Sequence, residues 1–152
     1  MASMDMNNFQ RIGSISNAHV GSEFEGLVQR FFANQGVVLS SGFAVPIGVG
    51  NLKKSRKFDF GSEQPPIIVE CKSHNWTSGG NVPSAKMTVW NEAMFYFQIA
   101  PDRYRKVLFS LRSIRRSESL AAYYVRCFAH LIPAAVEIWE YDVATHAAER
   151  LK

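Results

Sequence analysis

Four side chains, Glu25, Asp59, Glu70 and Lys72, have the types and spacing to do hydrolytic chemistry. Glu70, Cys71 and Lys72 end an apolar run that starts at Ile67. Side chains of a strand alternate between faces, so Glu70 and Lys72 are expected to point one way and Cys71 the other, into the core. Asp59 stands between Phe58 and Phe60. The same alternation predicts that both rings are buried on one face and the carboxylate lies on the opposite one. If Asp59 and Glu70 share a face, they form a carboxylate pair beside a lysine. Two carboxylates at close range repel and tend to hold a proton unless a cation compensates, and hard oxygen ligands suit a magnesium ion that retains waters. Glu25 falls one residue off the apolar stripe of a helix, at the rim where it could border the same site, with Glu23 as the alternative.

These residues need elements to hold them. From Gly21 to Gln35, Phe24, Leu27, Val28, Phe31 and Phe32 recur at three- and four-residue spacing, which predicts an amphipathic helix stopped by Gly36. Val37 to Val49 reads as one long bent strand or a broken pair, and Lys57–Gly61 and Ile67–Ser73 as a hairpin turning at Ser-Glu-Gln-Pro-Pro. Ser84 is placed to cap a helix whose Met87, Trp90, Met94 and Phe97 form one stripe, with Pro101 beyond its end. Beyond it are expected a strand over Lys106–Arg112, a helix over Ser117–Leu131 with Leu120, Tyr124, Cys127 and Leu131 on one face, and a half-exposed strand over Val136–Tyr141. The expected class is α/β, a mixed sheet flanked by helices with a core order αβββαβ. It forms one domain over residues 19–152 after an N-terminal extension, 1–18.

Charge is more informative by position than in total. The formal net charge is +4, but twelve basic and five acidic residues lie between Lys53 and Arg116, which makes the middle of the chain suited to a polyanion, with DNA the leading partner. Lys53, Lys54, Arg56 and Lys57 directly precede Asp59 and could grip a sugar-phosphate backbone. Arg112, Arg115 and Arg116 form a second cluster at a strand-to-helix junction, for the same groove or for a dimer contact. Lys86 could reach a phosphate, although a plain surface lysine is the simpler reading. His74, Asn75 and Trp76 open a loop that could touch DNA, or could fold the Trp back onto the core.

No apolar run is long enough to span a bilayer and the start has no basic-then-apolar leader, so a membrane role is not expected. Cys71 and Cys127 are far apart, without the spacing of a zinc site, and fit a reducing cytoplasm.

The order Glu25, Asp59, Glu70-Cys71-Lys72 resembles the PD-(D/E)xK nuclease superfamily, of restriction-endonuclease-like fold, over roughly Gly21 to Arg112. Gly21-Ser22-Glu23-Phe24-Glu25 is similar to the Gly-Ser-x-x-Glu opening of archaeal-type Holliday junction resolvases; Phe58 stands where the superfamily motif has proline. The resemblance implies a metal-dependent endonuclease that hydrolyses DNA phosphodiester bonds, either structure-selective or restriction-type. In that reading Asp59, Glu70 and the Cys71 backbone carbonyl hold magnesium, with manganese as a workable substitute, and Glu25 joins through water or at a second site. Lys72 orients or deprotonates the attacking water and offsets charge on the phosphorane. One active site per chain makes a homodimer the economical way to cut both strands. The competing expectations are a DNA-binding module of the same fold without catalysis, and a protein-interaction domain in which the four side chains do not converge.

Overall fold

The computed structural model describes the backbone of residues 6–152 and the side chains from His19 onward. The N-terminal extension, 1–18, therefore lies outside the described side chains. Helix α1 (Met6–Ala33) begins well before the Gly21 that periodicity indicated and ends close to the expected place. Gly36 closes it at φ 81°, a left-handed conformation that glycine adopts without a Cβ penalty, and the Val37 N–H returns to the Phe32 carbonyl at 2.9 Å.

Strands β1 (Ser40–Ile47), β2 (Lys54–Glu63) and β3 (Pro66–Lys72) form an antiparallel meander. Helix α2 (Ser84–Gln98) then crosses over, and β4 (Arg105–Leu111) returns parallel to β3. A short hairpin, β5 (Ile114–Arg115) and β6 (Glu118–Ser119), leads into α3 (Leu120–Cys127). Strand β7 (Val136–Asp142) lies parallel to β4, and β8 (Ala147–Arg150) pairs antiparallel at the edge. The result is an α/β fold with a mixed sheet in the order β1-β2-β3-β4-β7-β8.

Both faces of the sheet are covered. Phe24, Val28 and Phe32 of α1 pack on Phe60, Val69, Val107 and Phe109. Trp90, Met94 and Phe97 of α2, with Leu120 and Tyr124 of α3, pack on Phe58, Ile68, Leu108 and Ile138. The crossover helices α2 and α3 of the parallel β3-β4-β7 centre cover one face, and α1, which precedes the sheet in the chain, covers the other.

Several local expectations are corrected. Ser84 does not cap α2; its N-cap is Pro83, without a side-chain bond. Helix α3 is shorter than Ser117–Leu131, because Arg116 and Ser117 turn the β5–β6 hairpin at φ 48° and 68°, and Ser119 caps the helix by accepting the Ala122 N–H at 3.0 Å. Leu131 falls in a 3-10 turn and is exposed. Strand β7 is mostly buried rather than half-exposed, because its side chains enter both cores, Val136 and Ile138 on the α2–α3 side and Trp139 and Tyr141 on the α1 side; β8, absent from the sequence reading, pairs along its outer edge.

Candidate functional site

Phe58 and Phe60 do not share a face: Phe58 packs against α2 and Phe60 against α1. The alternation breaks at Asp59, between the cross-strand pairs Ser41–Phe60 and Phe43–Phe58, where Gly42 on the partner strand takes φ 61°. The β2–β3 ladder runs only from Glu63–Pro66 to Phe60–Val69. Past that point the Cys71 backbone N–H donates to Asp59 Oδ2 at 2.8 Å, so a side chain takes over from the ladder. The carboxylate reaches the Glu70-Cys71-Lys72 strand because β2 is irregular there, not because it alternates cleanly.

Glu70 is almost completely buried on the α2 side, at 4% exposure. Its Oε2 lies 3.7 Å from Lys72 Nζ, and its Oε1 lies 3.5 Å from Arg56 Nη2. Burial first, and the charge of Asp59 second, push the Glu70 carboxyl up to about 7, against the opposing pull of Lys72 and Arg56. Cys71 alternates as expected, packing against the α1 core. Burial, followed by the charges of Asp59, Glu25 and Glu70, pushes its thiol well up, which disfavours the thiolate.

Glu25 is exposed on α1, and its carboxyl is raised by partial burial and then by Asp59, which places it in the field of the pair. Glu23 points elsewhere, pairing with His19 at 2.9 Å one helical turn back. Asp59, Glu70 and Lys72 therefore gather at one end of β2 and β3, with Glu25 on α1 within electrostatic reach of Asp59.

Among the described residues no three His, Cys, Asp or Glu side chains converge closely enough to hold an ion alone. Magnesium needs fewer, since it usually keeps several waters and binds through one or two carboxylates. Asp59 and Glu70 could supply that pair, and a carboxyl held near 7 by burial first and by its anionic neighbour second is one whose ionisation a divalent cation would favour.

The basic residues separate. Lys54 and Lys57 are exposed on β2 and line an open cleft of about 390 Å³ with Arg56 and Tyr96. Lys53 donates to the Gly48 carbonyl at 3.0 Å in the β1–β2 loop. Arg56 is not a free phosphate grip: its guanidinium lies 3.7 Å over the Tyr96 ring and turns towards Glu70. The second cluster does not act as one. Arg112 pairs with Asp142 at 2.7 Å and Glu140 at 3.6 Å, Arg115 stacks 4.0 Å over Trp76 and donates to the Gly80 carbonyl, and Arg116 is exposed with no such contact among the described residues. Trp76 folds back onto the core, donating from Nε1 to the Ser113 carbonyl at 3.0 Å.

Two features escaped the sequence reading. Lys72, Ser110 and Glu140 are register partners across β3, β4 and β7, so Glu140 is a buried carboxylate in the same row as Lys72, and its Oε2 has no partner among the described residues. Trp90 donates from Nε1 to His74 Nδ1 at 2.8 Å. Residues 74 and 90 have no local sequence relation, so only the packing of α2 on the sheet reveals that bond. No family description, no curated protein and no solved structure matches this chain.

Proposed function

We propose that the chain is a magnesium-dependent deoxyribonuclease of the PD-(D/E)xK type, with a restriction-endonuclease-like fold. The observation that carries this reading is the buried Glu70 carboxyl, held between the carboxylate of Asp59 and the ammonium of Lys72 at the end of a strand pair. The chain order α1-β1-β2-β3-α2-β4 supports the fold assignment.

Asp59 and Glu70 would hold the cation, with the Cys71 carbonyl beside them and Glu25 at the rim. Magnesium bound there supplies Lewis-acid polarisation of a phosphodiester and activation of water at neutral pH. The remaining work belongs to the chain. Lys72, with only 12% of its side chain exposed, offers a desolvated ammonium to orient the attacking water and to offset negative charge as it grows on the phosphate oxygens. The Asp59 bond to the Cys71 N–H orients that carboxylate before substrate arrives. Lys54 and Lys57 attract the backbone of the nucleic acid, and Arg56, stacked on Tyr96, steadies Glu70.

Cutting both strands calls for a second copy, so a homodimer belongs to the proposal, as does a cytoplasmic setting, consistent with two free cysteines. Among the described residues no helix is long and apolar enough to cross a membrane.

The test incubates the protein with supercoiled, linear and four-way branched DNA, in magnesium and in EDTA, beside Asp59→Ala and Lys72→Ala. Magnesium-dependent cutting lost in both variants supports the reading, and the preferred substrate separates junction-selective from restriction-type cleavage. Salt-sensitive binding without cutting would identify a non-catalytic DNA-binding module. Cutting that survives EDTA or both substitutions overturns the mechanism.

A further inference from the structure

Next to Lys72 an open cleft of about 310 Å³ is lined by Val20, Ser73, His74, Asn75, Pro83 and Lys86. Its one histidine has a settled tautomer. An indole N–H can only donate, so the 2.8 Å contact from Trp90 Nε1 makes His74 Nδ1 an acceptor and puts the ring proton of the neutral imidazole on Nε2. Trp90 is fully buried and packed 5.0 Å from the Tyr124 ring, and Tyr124 in turn donates to Asn91 at 2.9 Å. The device that orients His74 is therefore part of the α2–α3 core. Among the described residues no acceptor meets Nε2.

The surroundings favour an anion. Burial first, then the charges of Lys72 and Lys86, hold His74 down to about 4, so the ring is neutral at physiological pH and both ammonium groups lie within its electrostatic reach. Lys86 is exposed in the first turn of α2, and that turn contains no acidic residue. A donor-only Nε2–H and an exposed ammonium suit phosphate oxygens, which only accept.

We propose that this cleft is a phosphate subsite of the nuclease, seating the phosphodiester next to the scissile one, with His74 Nε2–H as an oriented neutral donor and Lys86 as the charge. The assignment rests on the nuclease reading and adds to it where the neighbouring phosphate lies. The tryptophan bond keeps the imidazole in its donor form, so His74 registers substrate without acting as a general base. Its position two residues past the end of β3 sets the subsite just beyond Glu70 and Lys72.

The test measures kcat and KM for a labelled duplex and a four-way branched DNA in magnesium, and Kd for the same DNA by fluorescence anisotropy in calcium. The full chain is compared with His74→Ala, His74→Gln, Trp90→Phe and Lys86→Ala. Losing one such contact should raise KM and Kd about tenfold in His74→Ala and Lys86→Ala while kcat changes little. His74→Gln, which keeps a side-chain N–H, should recover part of the loss. Long-range nitrogen–proton NMR of the imidazole should show the Nε2–H form in the free protein, a shift of its signals on adding DNA, and a tautomer mixture in Trp90→Phe. Lys86→Ala and the NMR readout keep the test decisive if His74→Ala fails to fold. Unchanged KM and Kd in both alanine variants, with Asp59→Ala inactive, would overturn the subsite and leave the catalytic reading intact. A wild-type protein that neither binds nor cuts DNA would overturn both.

Discussion

The Cys71 backbone N–H donates to Asp59 Oδ2 at 2.8 Å, where a regular hairpin would have used a backbone carbonyl. One carboxylate thus completes the β2–β3 pairing and faces Glu70, coupling local folding to the candidate chemistry. Asp59→Ala removes both functions; Asp59→Asn keeps an oxygen acceptor and removes the charge. The alanine variant should lose about 1–3 kcal/mol of stability because a backbone donor is orphaned, while the asparagine variant stays near wild type. Both should lose DNA cleavage by at least about a hundredfold. Chemical denaturation and a nicking assay check the two parts separately.

Glu70 makes the metal-free protein sensitive to pH. Its folded-state pKa, about 7, lies above the ordinary 4.5, so between those values the folded state holds a proton that the unfolded chain releases. Stability should therefore fall as pH rises through 4.5 to 7, by an amount on the order of 2–3 kcal/mol for so buried a group, and level off above that window. In EDTA at pH 8, Glu70→Gln should melt higher than wild type. Magnesium should raise the melting temperature of wild type and leave the glutamine variant nearly unmoved. A pH-independent difference between the two proteins would contradict the assignment.

His74 acts in the opposite sense. With its folded pKa lowered to about 4 from 6.5, its contribution is present above 6.5 and lost as pH falls towards 4, because the unfolded chain then binds a proton that the folded imidazole refuses. His74→Gln should flatten the acid limb of the stability profile over that range, measured as denaturation midpoints at successive pH values.

Lys54 and Lys57 should behave differently from Arg56, although all three lie within four residues. Substituting either exposed lysine by alanine should weaken binding of any DNA sequence and reduce the slope of log K against log salt by about one. Arg56→Ala should leave that slope nearly unchanged and slow cleavage instead, because its guanidinium is committed to Tyr96 and Glu70. Salt titrations of binding, set beside single-turnover rates, distinguish the two patterns.

Gly61 is required by shape. A Cβ there would sit 2.2 Å from Phe43 Cδ1 in the neighbouring strand, and the Phe43 ring packs against Tyr104. Gly61→Ala should destabilise the fold by about 1–3 kcal/mol through overpacking, visible as a lower denaturation midpoint.

Much of this arrangement was readable from residue order alone. The apolar stripe of α2, the C-terminal end of α1, the prolines at the β2–β3 turn and the Ile-Ile-Val run into Glu70 were each legible within a few residues, because helix and strand periodicity are local properties, whereas the start of α1 was not. Strand alternation also placed Glu70 with Lys72 and turned Cys71 to the other face. Tertiary structure decided what depends on partners distant in sequence. The break at Asp59 lies opposite Gly42 of β1, Arg56 reaches Glu70 while stacked on Tyr96 of α2, and Glu25 rather than Glu23 feels the charge of Asp59 once α1 is docked. The His74 tautomer likewise required α2 to bring Trp90 across the sheet. Side-chain identity marks which groups are able to carry charge or protons, but a pKa and a hydrogen-bond direction are set by desolvation and by neighbours, and those exist only once the chain has closed on itself.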